Sequence, residues 1–348
     1  MKSRSGILAG GNWIVDKLKL IDTYPQQDAL ANILSESTGN GGSPFNILVN
    51  LANLGAGFPL AGVGLIGADA AGEWISRQCK LKGIDPAQLR IHPAAPTSYT
   101  DVMTVQSTAR RTFFHQRGAN AFLDDCHFDF AAAAPRIFHL GYLLLLDRLD
   151  QPDTIHGTVA ARVLQRAKAA GCQTSIDLVS EDSDRFKRIV LPALPYVDYC
   201  FLNEFELERT TGVRIRNQLK LDLKAVQTAA GILLRAGVRE WVVVHFPEGA
   251  CALGRDGRVC HQGSLKIPKA RIVGTVGAGD AFAAGVLYGL HEGSPMESAL
   301  HYGVCVAAAC LLGATTSDGI GRLETCLELA KEFGVQAGQC ADQKIVDP

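Results

Sequence analysis

Short apolar runs alternate with longer amphipathic ones along most of this chain, and that rhythm leaves few folds open to it. Runs at 6–9, 61–66, 137–140, 174–178, 199–202 and 241–244 have strand length. Stretches at 45–54, 71–82, 156–170, 182–191, 218–236, 281–291, 295–312 and 322–333 read as helices. Strands joined through helices of ~10–18 residues do not pair as hairpins, because a crossover of that length brings the chain back parallel to itself. The pattern predicts an α/β fold, a mainly parallel central sheet with helices on both faces, in three layers. Two strand-rich segments, roughly 13–40 and 95–118, break the rhythm. Residues 13–20 alternate apolar and polar, as a half-exposed strand does, and 97–106 with 111–116 read as a hairpin turning at 107–109. These segments predict a small second sheet, a lid inserted into one domain spanning 1–340. A polar hairpin is expected at 250–261.

The 348 residues are 47% hydrophobic and 20% charged, enough apolar side chains for a large core and too few charges for a disordered chain. The formal net charge of −1 excludes the basic footprint of a nucleic-acid binder. An anionic ligand would have to be held by local dipoles and a metal ion rather than a general positive field. Ten cysteines are scattered without a CxxC pair, as expected of reduced cytoplasmic thiols in core positions. The first residues lead into a short strand ending at Gly10-Gly11-Asn12, not into a signal peptide. No window reaches ~18 uninterrupted apolar residues, so no membrane span is expected.

The most informative local run is Gly274-Thr275-Val276-Gly277-Ala278-Gly279-Asp280-Ala281-Phe282. At a turn entering a helix, free backbone N–H groups and the positive end of the helix dipole favour an anion. Gly277 and Gly279 let phosphate oxygens approach the backbone, and Asp280 places a carboxylate at the helix start, where it can take a proton from a hydroxyl. A capped helix after a tight turn, with Asp280 as the cap, fits the same spacing. Other phosphate loops do not: the chain has no Gly-Lys dipeptide, and Phe282 stands where a G-x-G-x-x-G loop would need glycine. The stretch 62–67 matches that pattern but falls inside an expected strand.

Several runs together resemble the ribokinase-like (PfkB) family of carbohydrate and nucleoside kinases. Gly274 to Leu287 is similar to the family's D-T-x-G-A-G-D signature with its small-residue helix. Gly41-Gly42-Ser43-Pro44-Phe45-Asn46, followed by Leu51-Ala52-Asn53-Leu54-Gly55, resembles its G-G-x-x-x-N element. Gly64 to Gly72 resembles its G-x-[VI]-G-x-D-x-x-G segment, Asn203-Glu204-Phe205-Glu206 its N-x-x-E, and Gly118-Ala119-Asn120 its G-A-N after the lid strand.

The resemblance implies a ribokinase-like fold and ATP-dependent transfer of a phosphoryl group to a hydroxyl of a sugar or sugar-like molecule. Asp280 would be the catalytic base, and the amides of Gly277, Ala278 and Gly279 the anion hole. Asn12, Asp16, Gly41, Gly42, Asn46 and Arg111 would bind substrate, although from the residues themselves Arg110 and Arg111 read first as a solvated edge that discourages strand aggregation. Asn203 and Glu206 would organise Mg²⁺ through water, although Asn followed three residues on by Glu is also a helix capping pair. His245, Gly249 and Thr275 would serve the nucleotide along with Asn203, Glu206, Gly277 and Gly279. The chain departs from the family at two points. Gly274 replaces the Asp that helps relatives hold a monovalent cation, so the resemblance does not carry that cation over. The nucleotide-side loop at 245–249 is one residue short of T-L-G-x-x-G.

Two other functions remain open at this level. A nucleoside kinase would use Phe45, Phe113 and Phe114 to stack a base. A nucleotide- or sugar-binding protein without catalysis would explain Gly274 and the altered His245 loop. A small exposed sheet also has edges and an apolar face to cover, which predicts a homodimer through the lid.

Overall fold

The computed structural model describes residues 4–108, 110–218 and 220–336. Expectations that touch Met1–Ser3, Ala109, Leu219, residues 337–340 and Cys340 lie outside the described residues. Strand β1 (Ile7–Gly11) is followed by β2 (Ile14–Ile21) and β3 (Ile33–Gly41). Then come α1 (Ser43–Leu54), β4 (Leu60–Gly67), α2 (Ala70–Leu81) and β5 (Ile84–His92). Strands β6 (Ser98–Val105) and β7 (Arg111–Gln116) form a hairpin, and the single turn α3 (Phe130–Ala133) leads into β8 (Ile137–Leu143). A two-residue ladder, β9 (Pro152–Asp153) with β10 (Gly157–Thr158), precedes α4 (Val159–Ala169), β11 (Gln173–Leu178), α5 (Phe186–Ala193), β12 (Tyr199–Asn203) and α6 (Glu204–Thr211). After a second short ladder, β13 (Arg216–Asn217) with β14 (Lys220–Leu221), come α7 (Leu223–Arg235), β15 (Trp241–Phe246), β16 (Gly249–Gly254), β17 (Val259–Gly263), α8 (Ala278–His291), α9 (Met296–Leu311) and α10 (Leu323–Phe333).

Nine strands make the central sheet in the order β17-β16-β15-β12-β11-β8-β1-β4-β5. It is parallel from β15 to β5, and β16 and β17 add antiparallel at one edge. Successive side chains of a strand point to opposite faces, and here they feed two cores. Ile7, Tyr199, Phe201 and Val243 join α1, α8 and α9 on one face; Leu8, Cys200, Leu202 and Val242 join α4 to α7 on the other. This is the three-layer α/β/α arrangement the alternation predicts. The 13–40 and 95–118 segments form the separate small sheet, in the order β3-β2-β6-β7.

Trp13 joins the two sheets. It is fully buried, its indole N–H donates to Val63 O at 2.9 Å, and it stacks on Phe45 with ring centroids 5.1 Å apart. A buried indole with a satisfied N–H and an aromatic neighbour is a strong anchor, and it fixes how the small sheet stands over the ends of the main strands.

Several expectations shift. β5 was not expected; as an edge strand paired on one side only, it is largely exposed and shows no apolar alternation. The hairpin at 250–261 extends the central sheet. The helix expected at 218–236 starts at Leu223, where Asp222 caps it by accepting from Lys224 N and Ala225 N, and the residues before it form the short ladder. Likewise α4 starts only at Val159, after the Thr158 cap, and α5 at Phe186. Among the described residues no helix is long and apolar enough to cross a membrane.

Candidate active site

In an open parallel sheet, ligands sit beyond the carboxyl ends of the strands. The ends of β8, β11, β12 and β15 carry Tyr142, Asp177, Asn203 and His245, and all four line one cleft of about 460 Å³. The small sheet closes it from above with Asp16, Thr100, Arg111, Phe113 and His115, and the loop at 275–280 forms its floor. A second chamber of about 770 Å³ adjoins it and shares Arg111, Asn203, His245, Thr275, Ala278 and Gly279. Its own walls are mostly apolar: Phe246, Ile267, Phe282, Val304, Ala307 and Leu311, with Lys269 and Gly249 beside them.

Helix α8 begins at Ala278. Gly277 is its cap in the left-handed region (φ 76°), with no room for a side chain: a Cβ there would stand 2.7 Å from Thr316 Cβ. The first backbone N–H groups of the helix have no partners within it, and Gly277, Ala278 and Gly279 line the cleft. Asp280 lies in the first turn rather than at the cap, and its carboxylate is engaged elsewhere: Oδ2 accepts from Asn46 Nδ2 and from Tyr142 OH, both at 2.7 Å. The capping reading of Asp280 is therefore not what the fold builds.

Four carboxylates gather here, each almost fully buried: Asp16 at 7%, Asp177 at 6%, Asp280 at 4% and Glu206 at 3% exposure. Burial disfavours their charged forms. With Asp280 nearby, burial pushes Asp16 up to about 8, and it pushes Glu206 up to about 7. Burial and the charge on Asp280 hold Asp177 well above the usual carboxylate range. Asp280 is raised by burial as well, while bonds from Asn46, Tyr142 and Asp177 pull it back. Burial also brings His245 down to about 4, so its ring is neutral where it packs beside Phe282, centroids 5.3 Å apart.

Of the residues expected at the site, Asp16, Gly42, Asn46, Arg111, Asn203, Glu206, His245, Thr275 and Gly277 to Asp280 line the cleft, and Gly249 lines the second chamber. Arg111 borders both, so it is more than a solvated edge. Asn12 and Gly41 do not line either. Asn12 is fully buried and spends its amide on backbone: Oδ1 accepts from Tyr142 N at 2.6 Å and Nδ2 donates to Leu145 O at 3.1 Å. Those bonds hold the strand end that carries Tyr142. Gly41 makes room for Asp16, whose Oδ1 lies 2.2 Å from where a Cβ would be. Of the aromatics expected to stack a base, Phe45 is core and only Phe113 lines the cleft.

Tyr142, Asp177, Thr100, His115 and Ser180 were not anticipated from the sequence. Ile137 to Leu143 and Gln173 to Leu178 are buried strands, and nothing local marks their last polar residue as functional. A polar residue ending a buried parallel strand is the one usable signal.

Asn203 and Glu206 form a complete capping box on α6, with Asn203 Oδ1 accepting from Glu206 N and Glu206 Oε2 accepting from Asn203 N, both at 2.9 Å. Ser180 Oγ also donates to Glu206 Oε1 at 2.7 Å. Among the described residues no group of three or more His, Cys, Asp or Glu is arranged to hold a metal ion. Three donors engage the Glu206 carboxylate, and the acceptor site left on Oε2 suits a water of Mg²⁺, which keeps its waters and takes its other ligands from phosphates. The cap and the metal-facing reading are thus compatible. At Gly274 the nearest atoms are Gly313 O and Ala314 O, 3.0 and 3.5 Å from a notional Cβ, with no carboxylate supplied.

An α/β fold with a buried carboxylate beside a helix N-terminus, opening on an apolar chamber, has the architecture of a kinase for small molecules. The sequence profile of pfkB family carbohydrate kinases matches residues 14–320, and the chain belongs to that family. Among curated relatives, it is 25% identical to ketohexokinase from Mus musculus over 90% of this chain and 98% of that one. It is 28% identical to ribokinase from Arabidopsis thaliana over 73% of this chain and 62% of that one. Among solved structures, Arabidopsis thaliana ribokinase complexed with ribose and ATP superposes with a TM-score of 0.77 at 22% identity, covering 94% of this chain and 99% of that one. The nucleoside kinase of Methanocaldococcus jannaschii reaches 0.73 at 17% identity, covering 94% and 98%, so the fold alone does not separate acceptor classes.

Proposed function

We propose that this protein phosphorylates a hydroxyl of a small sugar or sugar-like alcohol with ATP as donor. The observation that carries the reading is the position of Asp280: one turn into α8, beside the free amides of Gly277, Ala278 and Gly279, and held by Asn46 and Tyr142 in a cleft under the small sheet. The acceptor lies between Asp16, Gly42, Asn46 and Arg111, with Thr100 and His115 beside them. ATP lies along Asn203, His245, Gly249 and Thr275, its base in the apolar chamber. Asp280 takes the proton as the acceptor oxygen attacks the γ-phosphorus, and the bond to the β-phosphate breaks. The amides at the head of α8 stabilise charge gathering on the transferring group. Asn203 and Glu206 would hold Mg²⁺ through water, and the ion supplies neutralising charge at the phosphates.

A sugar is favoured over a nucleoside because the acceptor end is lined by carboxylates and hydroxyl-binding groups and, of the three phenylalanines expected to stack a base, only Phe113 lines it. A panel of ribose, fructose, 2-keto-3-deoxygluconate and adenosine tests this: turnover of a sugar is expected, and turnover of adenosine alone would overturn it. Loss of all turnover in purified, folded protein would favour the binding-only reading. The rest of the proposal concerns setting. The small sheet exposes Ile33, Leu34, Phe113 and Phe114 on its outer strands, and a second copy would cover them; light scattering that finds only monomer removes this part. The cytoplasm is the proposed compartment, since Cys79, Cys172, Cys200, Cys260, Cys305, Cys310 and Cys326 are buried free thiols and no CxxC pair occurs in the sequence.

A further inference from the structure

Asp177 is the buried acid for which the proposed mechanism has no task. It ends β11, lines the cleft, and is hydrogen-bonded through its side chain to Asp280. Two carboxylates in such contact, both screened from water, cannot both be ionised; they share a proton. The surrounding donors decide where it rests. Asp280 receives two full bonds at 2.7 Å, from Asn46 and Tyr142, and these favour its charged form. Asp177 receives the amide of Leu178, at 2.9 Å on Oδ1, and the Ser43 hydroxyl at the longer distance of 3.4 Å on Oδ2. Ser43 Oγ stands 3.4 Å from Asp177 Oδ2 but 2.8 Å from His139 Nε2, and the other ring nitrogen of His139 is 2.7 Å from Ser175 Oγ. The donors to Asp177 are therefore longer than the two at 2.7 Å that hold Asp280.

We propose that Asp177 is held as the neutral acid and donates its proton to the Asp280 carboxylate, making it a positioning residue that keeps the base ionised and aimed. This rests on Asp280 being the base. In the transfer step Asp280 gains the acceptor's proton, the new O–P bond forms and the bond to the β-phosphate breaks, while Asp177 keeps its own proton throughout. A neutral Asp177 also keeps one more negative charge away from the ATP phosphates. The titratable groups facing the pair are Asp16 from β2, His139 and Tyr142 from β8, Cys200 from β12, Glu206 from α6 and Cys310 from α9.

Asp177→Asn keeps a donor at that position, whereas Asp177→Leu removes it. The expected result is that Asp177→Asn lowers kcat less than tenfold and leaves the acid limb of kcat/KM in place. Asp177→Leu is expected to lower kcat about 10²-fold and move that limb to higher pH, as an unsupported buried Asp280 holds its own proton more tightly. Infrared difference spectra at pH 7 should show a carboxylic-acid C=O band in the wild type that Asp177→Asn abolishes; this reading stands even where Asp177→Leu fails to fold. Asp177→Asn as inactive as Asp177→Leu would overturn the proposal, since it would mean that the charge is needed, as for holding a cation. Absence of the infrared band, or wild-type activity in Asp177→Leu, would overturn it too. Asp280→Asn separates the two layers: full activity there removes the base itself, whereas inactivity there leaves the Asp177 results to decide.

Discussion

The two chambers of the site are built on opposite principles. The end proposed for the acceptor packs four buried carboxylates around one cleft, and burial raises every one of them. The end proposed for the nucleotide is an apolar slot between β15, the 264–272 stretch and the faces of α8 and α9, with few charges. Apolar walls repay their burial and add to stability, but crowded carboxylates cost stability and are kept for chemistry. Substitutions at the two ends should therefore move activity and stability in different directions.

The largest effect is expected at Asp280. Asp280→Asn should lower kcat about 10²–10⁴-fold with an undiminished Tm, because it removes a buried charge along with the base; steady-state rates and thermal unfolding check both. Asp16→Asn comes next. It should raise the acceptor KM about 10–100-fold while leaving the ATP KM nearly unchanged. Its stability effect has a definite sign. Asp16 is raised to about 8 in the fold, so the folded state holds that proton more tightly than the unfolded chain. Wild-type stability then falls as pH rises from the ordinary carboxylate range through about 8, and asparagine has no such loss. The Tm advantage of Asp16→Asn should be absent near pH 4 and full near pH 9; an advantage that shrinks with rising pH would contradict the burial argument.

At the other end, Ala307→Phe on α9 narrows the apolar slot. It should raise the ATP KM about tenfold and leave the acceptor KM alone; a reversed pattern would mean that the two chambers are assigned the wrong way round. The smallest expected change is in response to monovalent cations. With Gly274 offering no carboxylate beside Gly313 O and Ala314 O, replacing K⁺ by Na⁺ should change kcat/KM less than about twofold. A strong K⁺ requirement would show that backbone carbonyls suffice.

Much of the phosphate end could be read in advance. Gly277, Gly279 and Asp280 are neighbours in sequence, and a helix start is a local event, so spacing alone places free amides and a carboxylate together. The Asn203–Glu206 pair was equally legible because a capping box spans four residues. The acceptor end was only partly legible. Asp16 and Asn46, implied by the family resemblance, line the cleft, but Tyr142 and Asp177 reach Asp280 from 138 and 103 positions away along the chain, and Asn12, implied in the same way, turns its amide to the backbone at Tyr142 and Leu145.

The sequence by itself determined the alternation of strands and helices, hence a parallel sheet covered on both faces, and it determined the glycine loop that opens α8. Those features depend on residues within a turn or two of each other, where backbone sterics and periodicity act. Tertiary structure decided which strand ends meet, and so which carboxylates share a cleft, which of them lose their water, and that Asp280 is held by Asn46 and Tyr142 instead of capping its own helix. Strand order and desolvation are properties of the assembled sheet, and no local pattern carries them.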